Sequence, residues 1–330
     1  MSNDVLLEVR DLTVEYATGH TPVRAVDKVD LDVRAGEFVG IVGESGCGKS
    51  TLLFAIAQLL SPPAGITGGS VGFRGENLVV MNDRQLAPIR WRNMSVVMQS
   101  AMNALNPVKR IGAQFSDVMR AHGNTSAAEI KERSETVMRL VGIDKVHLSS
   151  YPHQLSGGMR QRSMIAMALL FTPDLVIMDE PTSALDVVAQ RSLMLQIKDL
   201  QAELGFAVVF VTHDMSLVSH FSDRLMVMYA GQTVEFGDTR QVFDQPAHPY
   251  TSGLLDAFPS IRGPRVELVG IPGSPPNLAH PPAGCRFQPR CPKAFEACLT
   301  VPPPLYDVEG VQARCLLHDD ELNATVRSAT

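Results

Sequence analysis

One segment near the N-terminus constrains the fold of this chain more than any other. Residues 38–42 read FVGIV, residues 43–50 read GESGCGKS, and a helical pattern follows over residues 49–60. An apolar run of this kind predicts a strand buried on both faces. Glycines between such a strand and a helix let backbone N–H groups turn inward at the helix N-terminus, where they bind an anion. The spacing G-x-x-x-x-G-K-S is the Walker A pattern, which predicts a nucleotide phosphate site.

Two side chains of this loop have expected roles toward ATP. Lys49 would bridge the β- and γ-phosphates, and Ser50 would ligate Mg²⁺. Cys47 is interpreted as a tolerated small residue rather than a redox switch. The residues assigned to the nucleotide are Gly43, Ser45, Gly46, Cys47, Gly48, Lys49, Ser50 and Thr51.

Strand-like and helical patterns alternate along the chain. Apolar runs predict strands at 95–98, 175–178 and 208–212, and helices are predicted at 127–141 and 157–170. This alternation is typical of an α/β fold with a mainly parallel sheet. The first 35 residues and residues 224–237 are also strand-like, and we expect them to form an antiparallel β layer beside that sheet. Residues 100–170 predict a helical subdomain inserted in the core.

The amino-acid composition of the sequence changes after about Phe258. Seven prolines between positions 259 and 282 break any long helix or central strand. We therefore predict a nucleotide-binding domain over residues 1–258 and a small cysteine-bearing extension over residues 259–330.

A second motif carries two carboxylates. Residues 175–180 read LVIMDE, so that four apolar residues precede Asp179 and Glu180. Ligands bind at the carboxyl ends of strands in open α/β sheets, which is where this pair would lie. Asp179 is expected to hold Mg²⁺ through its water shell, and Glu180 is expected to polarise the attacking water as a general base.

Residues 155–162 read LSGGMRQR and resemble the LSGGQ signature of ABC ATPases, with Met159 in place of the usual Gln. Ser156 occupies an N-cap position and two glycines follow it, so the helix N-terminus presents amides and a hydroxyl to an anion. The resemblance implies that Ser156, Gly157 and Gly158 contact the γ-phosphate bound by a second subunit. Dimerisation and hydrolysis would then be linked.

Other motifs of this family follow in order. Tyr16 matches the aromatic residue that stacks on adenine, and Gln99 matches the Q-loop glutamine that senses Mg²⁺ and the transmembrane partner. Residues 183–186 read SALD and match the D-loop, which crosses the dimer interface and includes Asp186. His213 matches the switch histidine that contacts the γ-phosphate. The resemblance covers roughly residues 4–250 and implies the P-loop NTPase fold of an ABC nucleotide-binding domain.

Two stretches nearer the C-terminus resemble ATP-binding subunits of oligopeptide and dipeptide importers, including their nickel-carrying relatives. They read PAHPYT at residues 246–251 and GCRFQPRCP at residues 284–292. The resemblance implies a motor subunit that hydrolyses ATP to power peptide uptake. The implied partners are a second identical or homologous ATPase subunit, two transmembrane permease subunits and, indirectly, an external solute-binding protein.

Three alternatives to peptide import remain at this point. The first is an importer of nickel or another small solute. The second is a soluble ABC ATPase of translation or repair, although the chain has one Walker A motif and no sustained heptads. The third is a metal-binding regulatory module with a vestigial ATPase, which the intact Glu180 and His213 disfavour.

Composition limits the partners and the location. The net charge of −6 argues against a nucleic-acid partner, since binding to a phosphate backbone needs a basic face. A membrane-spanning helix needs about 18 consecutive apolar residues, and no apolar run in the sequence approaches this length. The N-terminal sequence lacks the pattern of a signal peptide. We expect a peripheral protein on the cytoplasmic face of the inner membrane, held there by its partners.

Four of the five cysteines lie in the proline-rich extension, at Cys285, Cys291, Cys298 and Cys315. A reducing cytosol disfavours disulfides, and the few aliphatic residues of the extension predict a poor core, so we expect a cross-linking metal. The C-x5-C-x6-C-x16-C spacing lacks the tight pairs typical of zinc, and Pro292 follows Cys291 as in ferredoxin motifs. Together with the importer resemblance, these features favour a structural [4Fe–4S] cluster over Zn²⁺.

Overall fold

The computed structural model describes residues 5–17, 21–99, 104–123, 125–183, 185–257 and 270–322. The strands are β1 (Val5–Tyr16), β2 (Val23–Arg34), β3 (Phe38–Val42), β4 (Ala64–Phe73), β5 (Glu76–Asn77), β6 (Met94–Val97), β7 (Leu175–Asp179), β8 (Ala207–Val211), β9 (Arg224–Tyr229), β10 (Gln232–Asp238), β11 (Tyr306–Val308) and β12 (Val311–Ala313). The α-helices are α1 (Lys49–Ile56), α2 (Asp83–Leu86), α3 (Ile111–His122), α4 (Ala127–Leu140), α5 (Gly157–Ala168), α6 (Val187–Leu204), α7 (Met215–Phe221), α8 (Thr239–Asp244) and α9 (Pro249–Asp256).

The chain divides into two compact units. The first unit comprises Met1–Glu8, Asp32–Phe38 and Gly72–Thr212, and the second unit comprises Val9–Leu31, Val39–Val71 and His213–Thr330. Each unit therefore contains several separate stretches of the chain, and each contains some of the predicted motifs.

In the first unit, β6, β7 and β8 form a parallel sheet. Met94 pairs with Leu175, and Leu175 in turn pairs with Ala207. Almost every residue of these strands is buried, which is why their sequences are continuously apolar rather than alternating. The structure confirms each of these predicted strands with its ends shifted by at most one residue. Because the strands are parallel, the residues that follow β6 and β7 meet at one edge of the sheet.

Helices follow in the same unit. The described residues between 104 and 170 contain helices and turns but no strand, as predicted. On α3 the apolar side chains of Ile111, Phe115 and Met119 recur every four residues and are buried. Helix α4 starts at a capping box, in which Ser126 and Glu129 each accept from the other's backbone N–H. None of the helices in the described part of the chain combines the length and apolar character that a membrane crossing requires.

The second unit also contains paired strands. Strand β3 pairs parallel with β9, and β9 pairs antiparallel with β10. The expectation that residues 224–237 belong to an antiparallel layer beside the parallel sheet is therefore wrong. Strand β9 reads RLMVMY and is buried on both faces, which is typical of a sheet interior and not of a half-exposed layer. Within this unit β2, β1 and β4 are neighbours, in that order, in a separate sheet.

The C-terminal extension continues the sheet of the second unit. Strand β12 pairs antiparallel with β10, and β11 pairs with β12. Phe287 is 2% exposed, and its ring makes edge contacts with Tyr229 and Tyr250, each at a centroid distance of 5.3 Å. The extension thus shares an aromatic core with residues that precede it in the chain. The predicted boundary after Phe258 lies outside the described residues and stays a prediction.

This shared core predicts a large stability effect at Phe287. Replacing Phe287 with alanine should lower the free energy of unfolding by about 3–5 kcal/mol, because a fully buried ring leaves a cavity that its neighbours fill only partly. Urea unfolding of the two proteins measures the difference. Leu299→Ala is the control: that side chain is 54% exposed, and the change should stay within about 0.5 kcal/mol. Equal effects of the two substitutions would contradict the shared core.

Candidate nucleotide-binding site

The Walker A loop lies in the second unit, between β3 and α1. Gly48 has a φ of 104°, and a Cβ at this position would lie 2.1 Å from the carbonyl oxygen of Ala25. Gly43 has a φ of 149°, and a Cβ there would lie 2.2 Å from the carbonyl oxygen of Met228. Both backbone conformations and both close approaches require glycine. The two glycines of the motif thus let the loop pack directly against neighbouring backbone.

Lys49 lies within this loop. It is 7% exposed, and its amine donates to the carbonyl oxygens of Gly43 at 2.7 Å and Glu44 at 2.9 Å. Ser45 and Gly46 are exposed at the tip of the loop. Gly48, the N-cap residue of α1, has no side chain that could cap the first amides of the helix. A buried cation and an uncapped helix N-terminus fit the phosphates of a nucleotide, and Ser50 and Thr51 begin that helix.

Three other predicted residues also belong to the second unit. The hydroxyl of Tyr16 lies 3.1 Å from the hydroxyl of Thr51, so this tyrosine is tied to the first turn of α1. Cys47 is buried, and burial raises the pKa of its thiol, which is therefore neutral at neutral pH. His213 is exposed and directly precedes Asp214, the N-cap of α7. The adenine contact of Tyr16 and the γ-phosphate contact of His213 stay predictions.

In the first unit, the structure brings Gln99 and Glu180 together. The side-chain amide of Gln99 donates to Oε2 of Glu180 at 2.8 Å. Asp179 ends β7 and is buried, while Glu180 has a φ of 46°, which is unusual for a residue other than glycine. The backbone N–H of Glu180 donates to the carbonyl oxygen of Val211 at 3.0 Å, and this hydrogen bond stabilises the unusual backbone conformation. A strained backbone next to a buried carboxylate is typical of functional sites.

Ser156 and Asp186 of the first unit each cap a helix. Ser156 Oγ accepts from the N–H of Met159 at 3.3 Å at the start of α5, as predicted. Asp186 Oδ1 accepts from the N–H of Ala189 at 2.9 Å at the start of α6. A Cβ at Gly158 would meet nothing within 4 Å, so the start of α5 is open on that side. Ala184 of the predicted D-loop lies outside the described residues.

One contact in this unit joins two motifs and was not predicted. The side-chain amide of Gln161, which is buried on α5, donates to the carbonyl oxygen of Pro181. The segment that starts with Ser156 is thereby fixed to the turn that follows Glu180. The only signal in the sequence was a glutamine at an otherwise unremarkable helical position, and its partner is 20 residues away.

Comparisons with known proteins agree with these motifs. The family described as ABC transporter matches residues 26–183, and the family described as oligopeptide/dipeptide transporter, C-terminal region, matches residues 234–298. The oligopeptide transport ATP-binding protein OppD of Salmonella typhimurium is 46% identical over 91% of this chain and 90% of the relative. The chain belongs to the oligopeptide/dipeptide branch of the ABC transporter family.

Further relatives support this membership. The dipeptide transport ATP-binding protein DppD of Caldanaerobacter subterraneus is 38% identical over 96% of this chain and 98% of the relative. Among solved structures, the dimeric ATP-binding cassette MJ0796 bound to ADP and Pi is 30% identical, with a TM-score of 0.63, and covers 71% of this chain and 99% of that one. The chain is thus an ABC-type ATPase with the P-loop fold that the motifs predicted.

The prediction of a [4Fe–4S] cluster in this ABC ATPase is wrong. In the described residues, which include Cys285, Cys291, Cys298 and Cys315, no group of three or more His, Cys, Asp or Glu side chains could hold a metal ion. The OppD relatives of Salmonella typhimurium and Escherichia coli are named as oligopeptide transport ATP-binding proteins. The same finding also contradicts the alternative prediction, in which the four cysteines bind Zn²⁺.

The physical reason is that the extension does not lack a core. Its stability comes from Phe287 among the aromatic rings and from the pairing of β12 with β10. The cysteines contribute as buried or half-buried free thiols. Burial raises the pKa of Cys285 and Cys291, and it raises the pKa of Cys315 to about 12, so these thiols are protonated at neutral pH.

Proposed function

We propose that this ABC ATPase is the motor subunit of an importer of oligopeptides or dipeptides. One observation carries the proposal: identity of 46% to an oligopeptide transport ATP-binding protein extends over 91% of the chain. The match of residues 234–298 to the oligopeptide/dipeptide transporter C-terminal region supports the same assignment. In this proposal the chain supplies ATP hydrolysis, and selection of the peptide is left to partner proteins.

The residues of the Walker A loop are proposed to bind the phosphates of ATP. Lys49 neutralises phosphate charge, and the amides of the loop and of the first turn of α1 donate to phosphate oxygens. Ser50, Asp179 and Gln99 are the proposed residues for Mg²⁺, which when bound offsets charge on the β- and γ-phosphates. The buried position of Asp179 and the glycine-dependent path of the loop fit these ligands.

Glu180 is proposed to orient and polarise the attacking water. The hydrogen bond from Gln99 fixes the direction of the carboxylate, so that the base is already positioned when the nucleotide arrives. His213 is proposed to contact the γ-phosphate from the start of α7. Rate enhancement then arises from positioning and from stabilisation of charge on the transferring phosphoryl group.

A second subunit is proposed to complete the reaction. Ser156, Gly157 and Gly158 form an open helix start, and a helix start attracts an anion through its amides and its dipole. The dimeric form of the MJ0796 cassette supports pairing of two such domains. We propose that these three residues contact the γ-phosphate bound by the partner, that Asp186 lies at the interface, and that the pair docks on two permease subunits at the inner membrane.

Uptake in the source organism tests the proposal. Deletion of this gene should abolish uptake of labelled di- and oligopeptides, and expression of the wild-type chain should restore it. Lys49→Ala, which removes the cation of the phosphate loop, should fail to restore it. If deletion abolishes uptake of Ni²⁺ or another small solute and leaves peptide uptake intact, peptide import is ruled out.

The segment after Gln99 gives a prediction about docking. Residues 100–103 lie outside the described residues, but Val108 is described and is 78% exposed, so its side chain is available to a partner and can be changed without disturbing the core. If this segment receives a helix of the permease, Val108→Asp should reduce uptake at least about tenfold, because the carboxylate would be buried without a partner. ATP hydrolysis by the purified chain should stay unchanged.

The matched control for this prediction is Val80→Asp, since Val80 is also 78% exposed but lies elsewhere in the sequence. Uptake and ATP hydrolysis are measured for both variants. Loss of uptake in Val80→Asp together with normal uptake in Val108→Asp would show that the docking site is misplaced.

A further inference from the structure

The Walker A loop of this chain contains a carboxylate, Glu44, directly after Gly43. Phosphate groups and a carboxylate repel one another, and the repulsion is strong where water is scarce. The side chain of Glu44 is 24% exposed. A phosphate-binding loop with this residue needs a device that neutralises the carboxylate or turns it away from the anion.

Arg290 of the C-terminal extension provides a counter-charge. Its two terminal nitrogens donate to the two carboxylate oxygens of Glu44 at 2.7 and 2.8 Å, a bidentate pair between residues 246 positions apart. The Arg290 side chain is 5% exposed. The hydrogen bond and charge of Glu44 raise the pKa of Arg290, so the guanidinium stays ionised.

The remaining donors of Arg290 are also used. Nε donates to the carbonyl oxygen of Pro272 at 2.8 Å, and a terminal nitrogen donates to that of Ile271 at 3.3 Å. The other terminal nitrogen lies 3.3 Å from the hydroxyl of Tyr229. Backbone and side-chain acceptors other than Glu44 therefore hold the guanidinium in one orientation. A preorganised fork of this kind loses little freedom on pairing.

The backbone of Glu44 is held from the same side. Its N–H donates to the hydroxyl of Tyr250 at 3.0 Å. Tyr250 lies in the first turn of α9, where Nδ1 of the N-cap residue His248 accepts from the N–H of Tyr250 at 3.0 Å. The buried carboxylate of Glu235 in turn accepts from the N–H groups of Ala247 and His248, at 2.8 and 2.9 Å. A chain of hydrogen bonds thus connects β10 to the second residue of the Walker A motif.

We propose that Arg290 is a positioning residue for nucleotide binding, because it neutralises Glu44 and holds the Walker A loop in the conformation that accepts phosphates. The C-terminal extension then contributes to the ATP site itself through this one side chain. The inference rests on the proposed role of the Walker A loop in binding ATP. It differs from a purely structural role in one respect: the harm done by removing Arg290 should depend on the negative charge of Glu44.

The affinity for the non-hydrolysable analogue AMPPNP with Mg²⁺ tests this, measured by calorimetry on the full chain. Arg290→Ala should raise Kd at least about tenfold, because an unpaired carboxylate remains in the phosphate loop. Arg290→Lys should give an intermediate Kd, since an ammonium keeps the charge but not the bidentate geometry. The double variant Arg290→Ala/Glu44→Gln should bind more tightly than Arg290→Ala and return to within about threefold of the wild type.

Arg314→Ala is the control for general damage to the extension. Arg314 also donates to two carbonyl oxygens, those of Thr233 and Pro303, and neither acceptor belongs to the Walker A loop. Its removal should leave Kd unchanged. Thermal unfolding of every variant accompanies the binding data, and if Arg290→Ala does not fold, Arg290→Lys and Arg290→Lys/Glu44→Gln take its place in the comparison.

Three results would overturn the inference or its basis, and they can be told apart. If the wild-type chain fails to bind AMPPNP, as Lys49→Ala is expected to fail, the proposed function itself is overturned. A wild type that binds and an Arg290→Ala variant with the same Kd would overturn only the role of Arg290. Weak binding by Arg290→Ala that Glu44→Gln does not relieve would show that Arg290 acts only on the fold.

Discussion

Replacement of Glu180 by glutamine is expected to lower ATP turnover by at least about 100-fold and to leave ATP binding intact. Glutamine has the same shape as glutamate but cannot accept a proton from the attacking water. The amide oxygen of the new glutamine can still accept the hydrogen bond that Gln99 donates to Oε2 of Glu180 at 2.8 Å, so the side chain keeps its position. Because ATP stays bound and is not cleaved, the variant should also accumulate as a dimer with trapped ATP.

Phosphate release and size-exclusion chromatography with ATP measure these two effects. The control is Glu203→Gln, a substitution of the same chemistry on the exposed surface of α6, and its turnover should equal that of the wild type. Gln99→Ala should give a smaller loss of turnover than Glu180→Gln, since it removes the hydrogen bond that positions the base and one proposed contact to Mg²⁺ but leaves the base itself in place. Turnover by Glu180→Gln at the wild-type rate would show that Glu180 is not the general base.

The parts of the fold and site that the sequence predicts correctly are local. The strand, loop and helix over residues 38–60 are contiguous, so the apolar run and the glycine spacing report them directly. The predicted helix extends to residue 60, whereas α1 ends a few residues earlier, at Ile56. The helix ends there because Gln58 adopts a left-handed φ of 54°. No apolar periodicity predicts such a conformation in a residue other than glycine.

The failures concern contacts between distant parts of the chain. Residues 224–237 are strand-like in isolation, but whether they join the parallel sheet depends on the partner strand β3, almost 200 residues earlier. The extension looked poor in core residues because the rings that pack on Phe287 belong to Tyr229 and Tyr250. The metal was invoked to supply stability that these contacts provide. The pairing of Glu44 with Arg290 is of the same kind, since two common charged residues carry no signal that they meet.

Complementation between two inactive variants gives the sharpest test of a composite site. Gly158→Asp should abolish turnover, because it places a carboxylate at the helix start that is proposed to face the γ-phosphate of the partner. The side of Gly158 that would carry a Cβ is open, so this variant should fold normally. Gly158→Ala, the matched control, adds a side chain without a charge and should retain more activity than Gly158→Asp.

Mixing the inactive Gly158→Asp and Glu180→Gln chains should restore activity. In a mixed dimer, the intact Glu180 of the first chain faces the intact signature segment of the second, and one of the two sites is complete. About half of the dimers in an equal mixture are mixed, so turnover should recover to about one quarter of the wild-type value at saturating protein. Phosphate release is measured as the ratio of the two chains is varied at constant total concentration, and turnover per chain should also fall on dilution. If each chain built its own complete site, Glu180→Gln would lack a base in every arrangement and the defect of Gly158→Asp would stay in the same chain, so the mixture would remain inactive at every ratio.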